Sequence, residues 1–135
     1  MNVLVIDGQG GGLGRQLVAA LSAQCPDIRL VAVGTNSVAA QAMHKAGAQR
    51  AATGENAVVV NCRNADIIVG PIGILAADAL MGEITAAMAV AIGRSEARKL
   101  LLPVNQCNNI VAGTQSLPLS RLMDEAVEVL RSLCE

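Results

Sequence analysis

Val3-Leu4-Val5-Ile6-Asp7-Gly8-Gln9-Gly10-Gly11-Gly12-Leu13-Gly14-Arg15-Gln16-Leu17-Val18 is the stretch whose reading decides the fold. An apolar run rich in β-branched residues, a glycine-dense turn, and a segment with Leu13, Leu17, Val18 and Leu21 at helical spacing read as strand, tight loop and helix. In that order the helix N-terminus points back at the loop, where unpaired backbone N–H groups and the helix dipole favour an anion. The opening therefore predicts a cradle for phosphate.

The glycine spacing does not match G-x-G-x-x-G, since a start at Gly8 puts Leu13 in the last place and a start at Gly10 puts Arg15 there. It fits G-x-x-G-x-x-G at Gly8, Gly11 and Gly14, which resembles the loop of short-chain dehydrogenases and their atypical extended relatives. The physical demand is a turn with positive φ, no Cβ between backbone and pyrophosphate, and close packing of helix on strand. The expected cofactor-binding residues here are Asp7, Gly8, Gln9, Gly10, Gly11, Gly12, Leu13 and Gly14. A phosphate loop of the deviant ATPase kind, G-G-x-G-K-T, overlays Gly11 to Gln16, but Arg15 replaces its lysine, Gln16 its hydroxyl, and Gly10 its upstream lysine. ATP hydrolysis is disfavoured on those departures. A purely structural glycine turn stays open beside both.

Outward from this unit, Ile28 to Val33 reads as a second strand, and Gly34-Thr35-Asn36-Ser37 as a loop and cap before a helix over Val38 to Ala46 closed by Gly47. Gln49 to Ala52 is a third strand, and Thr53 is expected to cap a helix over Ala57 to Arg63. Asp66 to Gly70 is continuously apolar after its first residue, the pattern of a strand buried on both faces. Ala76 to Ala91 reads as an alanine-rich helix interrupted at Gly82. Lys99 to Val104 is a fifth strand, Asn105 to Asn108 a polar loop, Asn109 to Ala112 a possible sixth strand. Pro118 opens a last helix to Leu133 with Leu119, Leu122, Met123, Ala126, Val127 and Leu130 on one face. Alternating strands and helices imply an α/β fold: a three-layer, doubly wound parallel sheet of five to six strands, Rossmann-like, in a single domain over 1–135. Ligands of such sheets bind beyond the carboxyl ends of the strands, where strand order reverses.

Composition bounds the rest. The 135 residues are 53% hydrophobic and 16% charged, with mean hydropathy +0.48. That is more apolar than an ordinary soluble domain. The most apolar region, Ile67 to Ile92, is cut by Asp78 and Glu83, so a membrane span is not expected. No basic leader precedes the first strand, which points to the cytoplasm. The apolar excess suggests burial between copies, hence a homo-oligomer. Net charge is −1 with no basic cluster, and Phe, Tyr and Trp are absent, so neither an electrostatic footprint nor stacking rings exist for nucleic acid. Four dispersed cysteines and one histidine, His44, make no metal-binding pattern.

Further strand ends supply candidates. About twenty residues past the glycine loop, where NAD-binding domains offer an acid to the ribose, stand Thr35, Asn36 and Ser37 with no carboxylate, a lean toward NADP over NAD. Gly70, Pro71 and Ile72 would approach across the reversal point. Asn105 and Cys107 offer an amide and a thiol, and Glu83 a carboxylate in apolar surroundings, as candidate catalytic groups.

The motifs Ile6 to Gly12, Gly34 to Asn36, Ala52 to Asn56, Gly70 to Gly73, Gly82 to Thr85 and Pro103 to Asn105 together resemble a family of short bacterial proteins known only as a domain of unknown function. The resemblance implies a single Rossmann-like domain and carries no substrate. The likeness to short-chain dehydrogenases covers the first βαβ unit alone, and the Tyr-x-x-x-Lys pair of those enzymes has no counterpart in a chain without tyrosine. Three functions follow as expectations. One is a protein that binds a nucleotide or dinucleotide, NADP or NAD, as a sensor or small enzyme subunit. Another is a small enzyme on a phosphorylated metabolite, and the third a structural subunit of an oligomer.

Overall fold

The computed structural model describes residues 1–104, 108–114 and 117–134. Five strands form one sheet: β1 (Asn2–Asp7), β2 (Arg29–Gly34), β3 (Arg50–Thr53), β4 (Ile67–Pro71) and β5 (Arg98–Leu102). Five helices connect or follow them: α1 (Gly12–Gln24), α2 (Ser37–Ala46), α3 (Glu55–Asn61), α4 (Ala86–Arg94) and α5 (Leu119–Cys134). The strand order is β3-β2-β1-β4-β5 and every pairing is parallel. The chain winds outward from β1 to β3, then returns to the other side of β1 for β4, so strand order reverses between β1 and β4.

The period-2 alternation of the strands divides the apolar residues between two cores. Val3, Val5, Leu30, Ala32, Ile67 and Val69 face α1, α2 and α5. Leu4, Ile6, Val33 and Ile68 face α3, α4 and the 3-10 turn Ile72–Leu75. A sheet covered on both faces consumes much of the apolar excess inside one chain. Among the described residues no helix is long and apolar enough to cross a membrane.

Several expected elements differ. The helix expected over Ala76 to Ala91 begins only at Ala86, because the Thr85 hydroxyl accepts the Met88 amide at 3.2 Å and caps the helix there. Residues 76–85 instead fold into a tight irregular segment in which Asp78, Leu80, Met81 and Gly82 all have positive φ. Asn109 to Ala112 is not a strand, so the described sheet has five. The α3 cap is Gly54 and not Thr53, with no side-chain capping bond. On α5, Leu122, Met123, Ala126, Val127 and Leu130 are buried as expected, while Leu119 lies outside that stripe.

Candidate functional site

The loop from Gly8 to Gly11 joins β1 to α1 at the carboxyl edge, beside the point where strand order reverses. Asp7, the last residue of β1, is 4% exposed, and its Oδ2 accepts the Gly14 amide at 2.7 Å. This carboxylate thus satisfies one of the orphan donors at the α1 N-terminus from inside the protein. Burial pushes the Asp7 carboxyl above its ordinary value, partly offset by the Gly14 and Gly8 amides, with nearby Glu83 raising it further.

The five glycines of this loop divide into two groups. Gly8, Gly11 and Gly14 are buried, and each is required by the protein's own packing. A Cβ at Gly8 would stand 2.6 Å from Thr35 Oγ1, one at Gly11 2.7 Å from Ala39 Cα, and one at Gly14 2.8 Å from the Asp7 Cβ. Gly11 also has φ +73. Gly10 and Gly12 are exposed, have no positive φ, and a Cβ on either meets nothing within 4 Å. The G-x-x-G-x-x-G spacing is therefore explained by the fold itself. The two glycines between its members are not.

The loop after β2 brings three expected residues to the same edge. Asn36 caps α2, its Oδ1 accepting the Ala39 amide at 2.9 Å, and its Nδ2 donates to the Gln9 carbonyl at 2.9 Å. Thr35 donates its backbone amide to the Asp7 carbonyl at 3.0 Å, fixing the hydroxyl beside Gly8. Ser37 is exposed in the first turn of α2.

No carboxylate stands at this strand end in the sequence, and the fold delivers one from elsewhere. Glu83 Oε1 accepts the Gln9 amide at 2.9 Å, the Thr35 hydroxyl at 2.7 Å and Asn36 Nδ2 at 2.7 Å. Partial desolvation works against its charge, but the Thr35 hydroxyl, the Gln9 amide and the Asn36 carboxamide outweigh it and hold the Glu83 carboxyl below its ordinary range. Its Oε2 makes no hydrogen bond among the described residues. The apolar surroundings of Glu83 in the sequence mark it as a candidate for chemistry. Its pairing with Thr35 and Asn36 spans nearly fifty positions and follows from the irregular segment 76–85, which no periodicity announces.

Gly70, Pro71 and Ile72 sit at the neighbouring strand end but have a structural account. A Cβ at Gly70 would lie 2.4 Å from the Ile6 carbonyl oxygen, Pro71 is buried, and Ile72 opens the 3-10 turn. No hydrogen bond joins them to the glycine loop among the described residues. Asn105 and Cys107 lie outside the described residues. The carboxyl edge thus presents the Gly10–Gly12 backbone, the first amides of α1 and one oriented carboxylate, groups suited to holding phosphate and sugar hydroxyls.

A comparison with curated proteins finds no match. Over residues 2–135 the chain matches the family described as Domain of unknown function (DUF3842), and it belongs to that family.

Proposed function

We propose that the protein binds a nucleotide at this carboxyl edge, with phosphate oxygens over Gly10 to Gly12 and the α1 N-terminus, and that a dinucleotide such as NADP or NAD is its ligand. The observation that carries this reading is the pair Gly10 and Gly12, whose lack of a Cβ serves nothing inside the protein. A phosphate seated against the peptide backbone supplies the missing reason, because a side chain there would hold it off. The Gly12 and Leu13 amides, first in α1, have no acceptor among the described residues. Both remain for an anion. Parallel strand topology adds that this edge, at the reversal between β1 and β4, is where such sheets take ligands.

Calorimetric titration with NAD, NADP, ATP, GTP and coenzyme A tests the proposal. Binding by one of them, weakened at least about tenfold by Gly12→Val with the fold intact, is the expected result, because a branched side chain would occupy the phosphate position. No binding by any of the five at millimolar ligand overturns it. A second reading has one observation in its favour: Glu83 Oε1 already takes donors from both loops, so the edge is partly closed by the protein's own anion. A structural subunit of a homo-oligomer needs no more than that. Absence of nucleotide binding together with a stable dimer or tetramer in sedimentation equilibrium would select it.

A further inference from the structure

Resting on the nucleotide reading above, the geometry points to Glu83 as the acceptor for an unmodified ribose diol, so that the ligand class is a nucleotide with free ribose hydroxyls and not a 2′-phosphorylated one. The position is the first support. Glu83 Oε1 bridges the amide of Gln9, inside the glycine loop, and the side chains of Thr35 and Asn36, just after β2. A carboxylate between those two loops stands where a parallel sheet of this topology presents an acid to the ribose. Here it reaches that place from the segment before α4. Gly8 leaves it room, since a Cβ there would stand 3.2 Å from Glu83 Oε1.

The division of labour between the two oxygens is the second support. Three donors hold Oε1 and fix the carboxylate plane, while Oε2 has no partner among the described residues and the side chain stays partly accessible. An oriented, ionised acceptor with one oxygen still to be paired suits a hydroxyl donor. Specificity follows from charge. A ribose 2′-phosphate brings about −1.5 to −2 charge to within contact of this carboxylate. Like charges there cost affinity, and among the described residues no lysine or arginine is hydrogen-bonded to Thr35, Asn36 or Glu83 to relieve them.

The test is a set of titrations on the intact protein with NAD, NADP, 5′-AMP and 2′-deoxy-5′-AMP, on wild type and Glu83→Gln. The wild type is expected to bind NAD about 10- to 100-fold more tightly than NADP, the range for a hydrogen bond to a charged group. Removal of the 2′-hydroxyl from AMP is expected to weaken binding about tenfold. Glu83→Gln should shrink the NAD preference by at least about tenfold, mainly by admitting NADP. NADP binding as tightly as NAD overturns the role of Glu83 and leaves nucleotide binding standing. Failure of every ligand to bind overturns both. If Glu83→Gln does not fold by circular dichroism, equal affinity of the wild type for 5′-AMP and its 2′-deoxy analogue overturns the diol contact alone.

Discussion

The loop from Gly8 to Gly11 and the segment from Ala76 to Thr85 meet at one carboxylate oxygen, and they are built on opposite plans. The first is a short turn between a strand and a helix, with its glycines at fixed spacing and one non-glycine residue, Gln9, at positive φ. The second is irregular, carries positive φ at three non-glycine residues, and exposes Met81 at its tip. Strain of that kind costs on the order of 1–2 kcal/mol per residue and persists only where surroundings over-determine it. Leu80, Ile84 and Ala79 supply that determination by burial against Leu4, Ile6 and Val33, and Glu83 by its three acceptor contacts. A regular turn can thus be specified locally. A strained segment is specified by what it lands on.

The sharpest way to break this contrast uses two neighbouring glycines of the regular loop. Gly11→Ala must place a methyl 2.7 Å from the Ala39 Cα with φ at +73, and is expected to lose about 2–4 kcal/mol from combined strain and overpacking. Gly12→Ala, one position on, meets open space at the start of α1 and is expected to stay within about 0.5 kcal/mol of wild type or gain slightly. Chemical denaturation of both variants measures the difference. Equal losses would mean that Gly12 has an internal packing role after all, and would remove the main support for a ligand at that position.

The same contrast explains what could be read from the sequence. β1, α1 and β2 to β4 follow from apolar runs and glycine punctuation, and the bounds of β2 to β4 lie within a residue of expectation. The Asn36 cap is also legible, as a polar residue ahead of a helical repeat. The stretch from Ala76 to Thr85 is not, because alanine richness promises helix and a hydroxyl at Thr85 sets the true start. The sequence Gly82-Glu83-Ile84-Thr85 holds that cap signal, but alanines on both sides obscure it. At the site, the glycine motif is visible while the reason for each glycine is not. Spacing alone cannot separate Gly11, pressed on Ala39, from Gly12, facing open space. Nor can it bring Glu83 to Thr35, because a contact between distant positions through an irregular segment leaves no period behind.

The irregular segment offers the next tests, of smaller size. Thr85→Ala removes the hydroxyl that accepts the Met88 amide, and is expected to cost about 1 kcal/mol, with α4 fraying at its first turn. Hydrogen exchange at Met88 would register it. Met81→Gly works the other way. Met81 is 94% exposed with φ +57, so glycine loses no packing and relieves strain, less its own entropic cost. A gain of about 0.5–1 kcal/mol is expected. A loss of similar size would show that Met81 is buried in solution, as it would be at an interface between copies.

Acid titration carries the smallest effect and the most specific sign. Glu83 has its carboxyl held below the ordinary 4.5, so its contribution to stability is present above that value and is lost as pH falls through the folded-state value. Asp7 has the reverse shift: raised above the ordinary 3.8 by burial, it contributes stability at low pH that disappears as pH rises through its folded-state value. The two groups therefore pull in opposite directions across the acid range, and Glu83 itself raises Asp7 by its charge. Glu83→Gln is expected to melt below wild type at neutral pH, with the gap closing as pH drops below about 4.5, whereas Asp7→Asn should gain on wild type as pH rises. Thermal melts at a series of pH values separate the two. A gap for Glu83→Gln that does not change with pH would mean its carboxylate is not held by Gln9, Thr35 and Asn36, and the irregular segment would then have to owe its course to Leu80 and Ile84 alone.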